Sequence, residues 1–484
     1  MADDPISEPA TPKRRSPWVR RLIYVALLVI LGLLAWGGYD FLTSDRDLRE
    51  AIAEADRLDP GWQLDDLESK RATLPAAENS ATCILKVKDL LETSTAGDSA
   101  KERERLFNLW SDLSAIPPET VLTQEQSGEL ESMLRKAEAA LKQAMRLGNM
   151  PRGKYEVRWQ LFVANTPLPS QSAREAVNLL QKDAWLLSQR GQADAALEHV
   201  VSIVNAGRSV GDEPGTISQL IRMAAQSVAV HTCERALAQG TPSDAALAKA
   251  EKVLLEETKD PLTLYAMRGE RAHFYRFLEA IKKGETSFSA AAGALAPGGS
   301  SANAWQSFSE RIEARRTEAP GVRVLTQLVE IAKLPVEQQV PEMKKLQASA
   351  GNLPILVSLQ LPAQAKIFEA FVRVQAWLRT AAVGVAVERY RLANGRWPET
   401  LADVVKARLI EQIPTDPYNG EPVRYRRLKD GAVVYCVGPD GQDDGGLINR
   451  KGDPTKAGFD LGFQLWNVDK RRQPPPPKPA EEEK

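Results

Sequence analysis

Histidine and cysteine carry much of the acid–base, nucleophilic and zinc-binding chemistry of proteins, and this 484-residue sequence has three of each. His199, His231 and His273 fall on three different predicted helices, and no HExxH motif places two of them on one helical face. His231 and Cys233 are two positions apart, so they point to different sides of one helix. No Gly-x-Ser-x-Gly elbow, phosphate-binding loop or GxGxxG motif occurs. These patterns predict packed or solvent-exposed histidines rather than a catalytic or zinc centre.

The three thiols, Cys83, Cys233 and Cys436, cannot all pair within one chain, and no CxxC motif brings two of them together. The sequence therefore predicts buried free thiols, with a Cys83–Cys233 bridge as the alternative. The net charge of −1 provides no general attraction to phosphates, so we expect no nucleic-acid partner.

Carboxylates are abundant in the helical part of the chain, where most acidic residues stand beside Lys or Arg, as in the segment 101–105. This charge pattern is typical of a solvated helix face. Hydrolytic carboxylates have no fixed spacing in sequence, so the pattern does not exclude an enzyme. The sequence favours a non-catalytic protein and leaves a hydrolase as the alternative.

Residues 22–39 contain no charged side chain, and their length is just sufficient for a helix to cross the hydrocarbon core of a bilayer. Basic residues precede this segment and acidic residues follow it, namely Lys13, Arg14, Arg15, Arg20 and Arg21 before it and Asp40, Asp45 and Asp47 after it. The positive-inside rule therefore predicts a cytoplasmic tail at 1–21, a transmembrane helix at 22–39 in the bacterial inner membrane and an extracytoplasmic bulk. A cleaved signal peptide is the alternative, although no Ala-x-Ala cleavage pattern follows the apolar run.

Residues 44–365 have helical periodicity and predict an irregular antiparallel helical array. The turn Arg190-Gly191-Gln192 before an alanine-rich helix resembles a tetratricopeptide hairpin, but the later breaks do not keep a period of about 34 residues. A loop or linker is predicted near 294–303. Helices are predicted at about 304–318, 321–334 and 340–350, with breaks at Pro354 and Pro362.

The segment 366–469 predicts a small α+β domain. Apolar residues at 371–387 form a broad helical stripe, and Gly395 suits the position just after a helix. A second helix is predicted at 398–407, and Asp430-Gly431 is a two-residue hairpin signal between two strands.

The last residues, 470–484, are rich in proline and glutamate and predict a disordered tail. The whole chain is thus predicted to be mainly α, with an N-terminal transmembrane helix, a helical array and a C-terminal α+β domain of helix plus antiparallel sheet.

Three motifs of the C-terminal domain occur in an order known from one family: Asn394-Gly395-Arg396-Trp397-Pro398, Asp416-Pro417-Tyr418-Asn419-Gly420 and Gly438-Pro439-Asp440-Gly441. Residues 380–466 resemble the periplasmic head of the major pseudopilins of type II secretion systems. In that family, the first motif ends a long helix, the second follows it, and the third lies in a loop near the C-terminus.

In pseudopilins, an acidic loop after the last hairpin binds calcium through aspartates and main-chain carbonyls. The resemblance therefore implies a calcium site at Asp440, Asp443, Asp444 and Asp460. Calcium takes about six to eight oxygen ligands from flexible loops, and the intervening glycines would let carbonyls turn inward. The alternative is that this Asp- and Gly-rich segment forms ordinary turns.

The chain departs from pseudopilins at its N-terminus, where Ser16-Pro17-Trp18-Val19-Arg20-Arg21 stands in place of the family's Gly-Phe-Thr-Leu-x-Glu processing signal. We therefore expect no processing by prepilin peptidase and no assembly through the membrane helix, and a shared fold does not transfer function. The sequence predicts a membrane-anchored extracytoplasmic scaffold or interaction protein, secretion- or envelope-associated, with protein partners in the cell envelope. A membrane-anchored envelope hydrolase with its site in the helical array is the alternative.

Overall fold

The computed structural model describes residues 17–157, 159, 169–290, 304–351, 353–450 and 452–475. For residues 17, 19, 20, 30, 33–41, 304 and 305, which lie within helices, the structure describes the backbone alone. The predicted linker at 294–303, most of the predicted cytoplasmic tail and the end of the predicted C-terminal tail lie outside the described residues.

Helices make up most of the described chain. In chain order they are α1 (Pro17–Leu58), α2 (Leu64–Lys70), α3 (Ser80–Thr95), α4 (Ala100–Ser114), α5 (Gln124–Lys136), α6 (Glu138–Met145), α7 (Ser172–Gln189), α8 (Ala193–Arg208), α9 (Thr216–Gln239), α10 (Asp244–Glu257), α11 (Leu262–Lys283), α12 (Ala304–Ala332), α13 (Val336–Ala348), α14 (Ile355–Asn394) and α15 (Leu401–Lys406). The strands are β1 (Arg424–Leu428), β2 (Gly431–Cys436) and β3 (Leu461–Trp466). The protein is therefore mainly helical with a small antiparallel sheet near its C-terminus, as the sequence predicts.

One small core joins α1 to α12. Ala51 and Ala55 of α1 pack against Ala319 and Val322 of α12, and these short side chains let the two helices approach closely. Trp62, just after α1, is fully buried in the same cluster.

The main core runs through the array. Helices α7 and α8 form a hairpin whose turn residue Gly191 has a φ of +72°, a left-handed conformation that favours glycine. The same core continues from α3 and α6 through α7–α10 into α14 and the sheet. Cys83, Cys233 and Cys436 are buried and free, which confirms the prediction of buried free thiols and excludes the Cys83–Cys233 bridge.

The sheet has the order β1-β2-β3 with both pairs antiparallel. Its central strand β2 is buried at every position. Helix α14 packs on the sheet, where a Cβ atom on Gly384 would lie 2.5 Å from the ring of Phe463. Glycine at this position therefore lets helix and strand come into contact.

The C-terminal domain does not begin at a break in the chain. The predicted boundary at residue 366 lies inside α14, and the buried residues Leu361, Ala365 and Phe368 on both sides of it belong to one core cluster. The predicted break at Pro362 is wrong, because this proline lies within α14. The predicted separation of 304–318 from 321–334 is also wrong, because Pro320 lies within α12. In both helices, packing of the flanking turns outweighs the missing proline N–H.

The first residues of the predicted disordered tail are packed against the rest of the protein. Arg471 is buried, and the backbone N–H of Gln473 donates to the carbonyl oxygen of Glu119 at 2.7 Å. The carbonyl oxygen of Gln473 in turn accepts from the N–H of Val121 at 2.9 Å, in a parallel bridge around Thr120. Residues 476–484 lie outside the described residues.

Among the described residues, the helix that is long and apolar enough to span a membrane is α14, and 44% of its apolar window is buried within the protein. Core helices commonly have this composition, so this observation alone is weak evidence of a membrane span. The predicted span at 22–39 lies inside α1, where part of its side chains are outside the described set. That assignment stays a prediction.

Candidate functional site

The acidic loop between β2 and β3 contains all four aspartates of the predicted calcium site. Asp440 holds the loop together, because one carboxylate oxygen accepts from the N–H of Gln442 at 3.1 Å and the other from the N–H of Gly458 at 3.0 Å. Both of its oxygens are therefore already used within the loop.

Asp443 is also engaged by protein groups. Its Oδ1 accepts from the N–H of Gly445 at 2.9 Å and from the hydroxyl of Tyr435 at 3.1 Å. Its Oδ2 lies 3.1 Å from Nε of Arg424. An arginine that already neutralises this carboxylate competes with any cation.

Asp444 and Asp460 are different, because each has a buried oxygen without a hydrogen-bond partner. Asp460 is fully buried, and its other oxygen accepts from the N–H of Gly446 at 2.7 Å. Burial raises the pKa of Asp460, and the neighbouring carboxylates of Asp443 and Asp444 raise it further, against the effect of the backbone N–H groups of Gly446 and Asp444. These two orphaned oxygens suit a cation, whereas Asp440 and Asp443 would first have to exchange their present partners.

Within the described ranges, no three His, Cys, Asp or Glu side chains form a group that could hold a metal ion. The structure thus places the four predicted aspartates in one loop without bringing their free oxygens together as a complete ligand set.

All three histidines contact protein atoms. Their ring contacts, in chain order, are His199 Nδ1 with the carbonyl oxygen of Ala195 at 3.0 Å and Nε2 with Asp183 at 2.8 Å, His231 Nδ1 with the carbonyl oxygen of Ser227 at 2.8 Å, and His273 Nε2 with the carbonyl oxygen of Pro214 at 3.1 Å. Burial lowers the pKa of His273 to about 4 and also lowers the pKa of His231.

A charged cleft crosses the helical array where the segment after α6 meets the ends of α8 and α10. It consists of two adjoining cavities of about 750 and 560 Å³ that share Pro151, Arg208 and Glu256. Basic side chains outnumber acidic ones along its walls, with Arg152, Lys154, Arg208, Arg222, Lys249, Lys252 and Lys259 against Glu198, Asp212, Glu256 and Asp260. The cleft therefore suits a polar ligand or segment with negative charge.

Buried ion pairs hold the arginines of this cleft in place. Glu257 is fully buried and accepts from Nε of Arg208 at 2.6 Å and from Nη2 of Arg222 at 2.9 Å. Arg222 also pairs with Asp260. Burial alone would raise the pKa of Glu257, but the charges and hydrogen bonds of the two arginines outweigh it and lower the pKa.

A second buried glutamate, Glu213, lies in the turn before α9. It accepts hydrogen bonds from the hydroxyl groups of Ser218 and Ser170, while its Oε2 has no partner. Burial raises the pKa of Glu213 to about 7, and the hydrogen bond from Ser218 and the charge of Arg71 oppose this shift only in part.

Buried ion pairs also fix the C-terminal domain to the array. Arg450 makes a two-pronged contact with the buried Glu234 of α9, with N–O distances of 2.9 and 2.7 Å. Arg471 is buried between Glu388 of α14, at 2.8 Å, and the carbonyl oxygen of Gly240. These contacts and the shared core make the array and the C-terminal domain one body.

Comparison of the chain with protein-family models, curated proteins and solved structures finds no match. The likeness to pseudopilins and to a tetratricopeptide hairpin therefore rests on sequence motifs alone.

Sequence reasoning missed the cleft and its buried glutamate, Glu257. The partners Arg208 and Arg222 stand dozens of residues away from it in the chain, so no local pattern marks them as a pair. The one available signal is that Arg222 and Glu257 interrupt apolar helix faces, where a lone charge would be costly.

Proposed function

We propose that this protein is a single-pass, membrane-anchored scaffold or interaction protein of the bacterial envelope, with its N-terminus in the cytoplasm and its bulk outside. The observation that carries the proposal is the union of the array and the C-terminal domain into one body through Glu234–Arg450 and a shared core. Such a body presents a fixed surface on which a partner can be held relative to the membrane.

Exposed apolar side chains in α1 support the anchor. Leu22, Tyr24 and Leu28 are 55%, 65% and 68% exposed, although they belong to an uncharged helical run. Contiguous apolar surface of this kind is unfavourable in water and favourable in hydrocarbon. A bilayer around residues 22–39 would cover it.

The charged cleft supports a role in binding an acidic segment of a partner protein. Lys249 and Lys252 line the cleft and are exposed, and Arg208, which also lines it, is held by Glu257. Exposed lysines attract negative charge over a distance, and the fixed arginine adds directed hydrogen bonds.

No specific observation favours the hydrolase alternative. In the cleft, the hydroxyl of Ser202 donates to the carbonyl oxygen of Glu198 at 3.2 Å. Both ring nitrogens of His199 face protein oxygens.

Topology is tested with a reporter that is active only outside the cytoplasm, fused to the C-terminal end of the full chain. We expect an active reporter and a protein that resists extraction by carbonate. Release by carbonate, or activity of a cytoplasmic reporter alone, would contradict the anchor.

Partner binding is tested by affinity capture of the full-length protein from detergent-solubilised membranes. The double variant Lys249→Glu/Lys252→Glu should lose the captured partner, because repulsion replaces attraction at the cleft. The matched control is Lys142→Glu/Lys345→Glu, which reverses two lysines exposed at 73% each outside the cleft. Equal capture by the two double variants would contradict the assignment of the cleft.

We also propose that the acidic loop takes Ca²⁺ through Asp444 and Asp460. Their orphaned oxygens support this assignment, and carboxylate oxygens are the ligands that Ca²⁺ prefers. The ion would neutralise the Asp460 carboxylate, whose pKa is raised by burial and by the neighbouring carboxylates.

A further inference from the structure

We propose that the N-terminal end of α12 forms a second contact with the membrane, in which Phe308 and Ile312 lie on the bilayer surface beside the anchor helix. This inference rests on the proposed anchor at residues 22–39, but it assigns a different surface and a different helix.

Helices α1 and α12 run parallel to each other. Three contacts, taken in chain order, set their register: Asp45 Oδ1 with Nη1 of Arg315 at 2.6 Å, the carbonyl oxygen of Asp47 with Nη2 of Arg323 at 3.1 Å, and the carbonyl oxygen of Leu58 with Nζ of Lys333 at 2.9 Å. The alanine-lined core between the helices fixes this arrangement. The start of α12 therefore points toward the apolar end of α1.

The register places Phe308 level with the end of the uncharged run. Phe308 precedes Arg315 by seven residues, which is about 10 Å along a helix, and Tyr39 precedes Asp45 by six residues, or about 9 Å. If residues 22–39 cross the membrane, the first turns of α12 reach the boundary between hydrocarbon and headgroups.

The side chains at this level are suited to that boundary. Phe308 and Ile312 are one helical turn apart on the same face of α12, and they are 54% and 37% exposed. Leu42 of α1 is 70% exposed at a similar level. Transfer of this apolar surface from water to the interface is favourable, and the exposed Arg311 lies between Phe308 and Ile312 in the chain, where its guanidinium group can reach lipid phosphates. A bilayer is therefore the partner that the position and the chemistry of this surface both fit.

The test uses the full-length protein in vesicles of phosphatidylcholine and phosphatidylglycerol that contain lipids with a nitroxide on the headgroup, for positions 308 and 107, or deep in the acyl chain, for position 28. Phe308→Cys receives an environment-sensitive fluorophore, and the native thiols are buried. Phe107→Cys is the matched control, because Phe107 is 75% exposed on α4, which packs through Trp110 against Trp185 of α7. Leu28→Cys reports on the anchor itself.

We expect the nitroxide lipids to quench the label at position 308 several-fold more than the label at position 107, and to quench the label at position 28 as well. Equal quenching at positions 308 and 107, with strong quenching at position 28, would overturn this inference while leaving the anchor in place. Absence of quenching at position 28 would overturn the anchor and the second contact together.

Discussion

Glu257, which pairs with two arginines of the cleft, and Glu213 before α9 are both fully buried glutamates, yet their pKa values shift in opposite directions. Glu257 faces two arginines that outweigh its burial, so its pKa is lowered. Glu213 receives hydroxyl hydrogen bonds and the opposing charge of Arg71, which do not outweigh burial, so its pKa is raised to about 7. Burial therefore does not by itself decide the charge of a carboxylate; the partners on neighbouring elements do.

The largest effect is expected from Glu257→Gln, which leaves Arg222 buried without its main counter-charge. Breaking a buried pair in this way costs about 3–5 kcal/mol. The measurement is the free energy of unfolding of the full-length protein in detergent, by denaturant titration near neutral pH.

Glu256→Gln is the matched control, because Glu256 is the neighbouring residue, pairs with the same Arg208 and is 42% exposed. Its removal should cost no more than about 1 kcal/mol. Similar losses for the two variants would show that the buried network does not stabilise the cleft.

Glu213→Gln is expected to have a smaller effect, which is stabilising and appears only at high pH. The pKa of Glu213 is raised in the folded state, so its contribution is fully present below the unfolded value of 4.5 and is lost as pH rises through about 7. At pH 8, the variant should therefore exceed the wild type in stability by up to about 3 kcal/mol, and at pH 4 the two should be similar. Denaturant titrations of both proteins at the two pH values measure this difference, and a constant difference would contradict a neutral buried Glu213.

The smallest effect is expected in the acidic loop, where no described arginine pairs with Asp444 or Asp460 in the way that Arg222 pairs with Glu257. Calcium should raise the melting temperature of the wild type more than magnesium does, and at a hundred times its dissociation constant a ligand adds about 2.7 kcal/mol. Asp460→Asn should remove most of this gain.

Asp430→Ala, in the hairpin turn between β1 and β2, should leave the response to calcium intact. An unchanged melting temperature of the wild type with calcium would assign the loop to ordinary turn chemistry.

Turns and helix ends depend on local interactions, and local sequence patterns predicted them. The predicted hairpin joins β1 to β2, but its turn residues are Lys429 and Asp430, and Gly431 is already the first residue of β2. Gly395 ends α14 with a φ of +69°, at the position that its residue type predicts. The strand β3 was not predicted as a strand, because its pairing with β2 depends on a partner across a long loop. Pro320 and Pro362 illustrate the converse, since a strong local signal yields to packing of the flanking turns.

The candidate sites depend still more on distant partners. The composition of the acidic loop was visible in sequence, but the capture of Asp443 by Arg424 was not. The sequences of α8, α9 and α10, each taken alone, also do not predict that Arg208 and Arg222 pair with Glu257. The sequence therefore predicts the composition of a single element, but it does not predict the contacts that form between two elements.

The bridge between Thr120 and Gln473 has a consequence for the order in which the molecule is made. The segment around Thr120 is synthesised early, while its backbone partner arrives only with the last described residues. Domains usually fold as they emerge from the ribosome, but this contact cannot close until almost the whole chain has been released. A nascent or truncated chain thus lacks the backbone partners of Glu119 and Val121, while Arg235 and Gln239 of α9 can already bind the carbonyl oxygens of Pro117, Pro118 and Thr120.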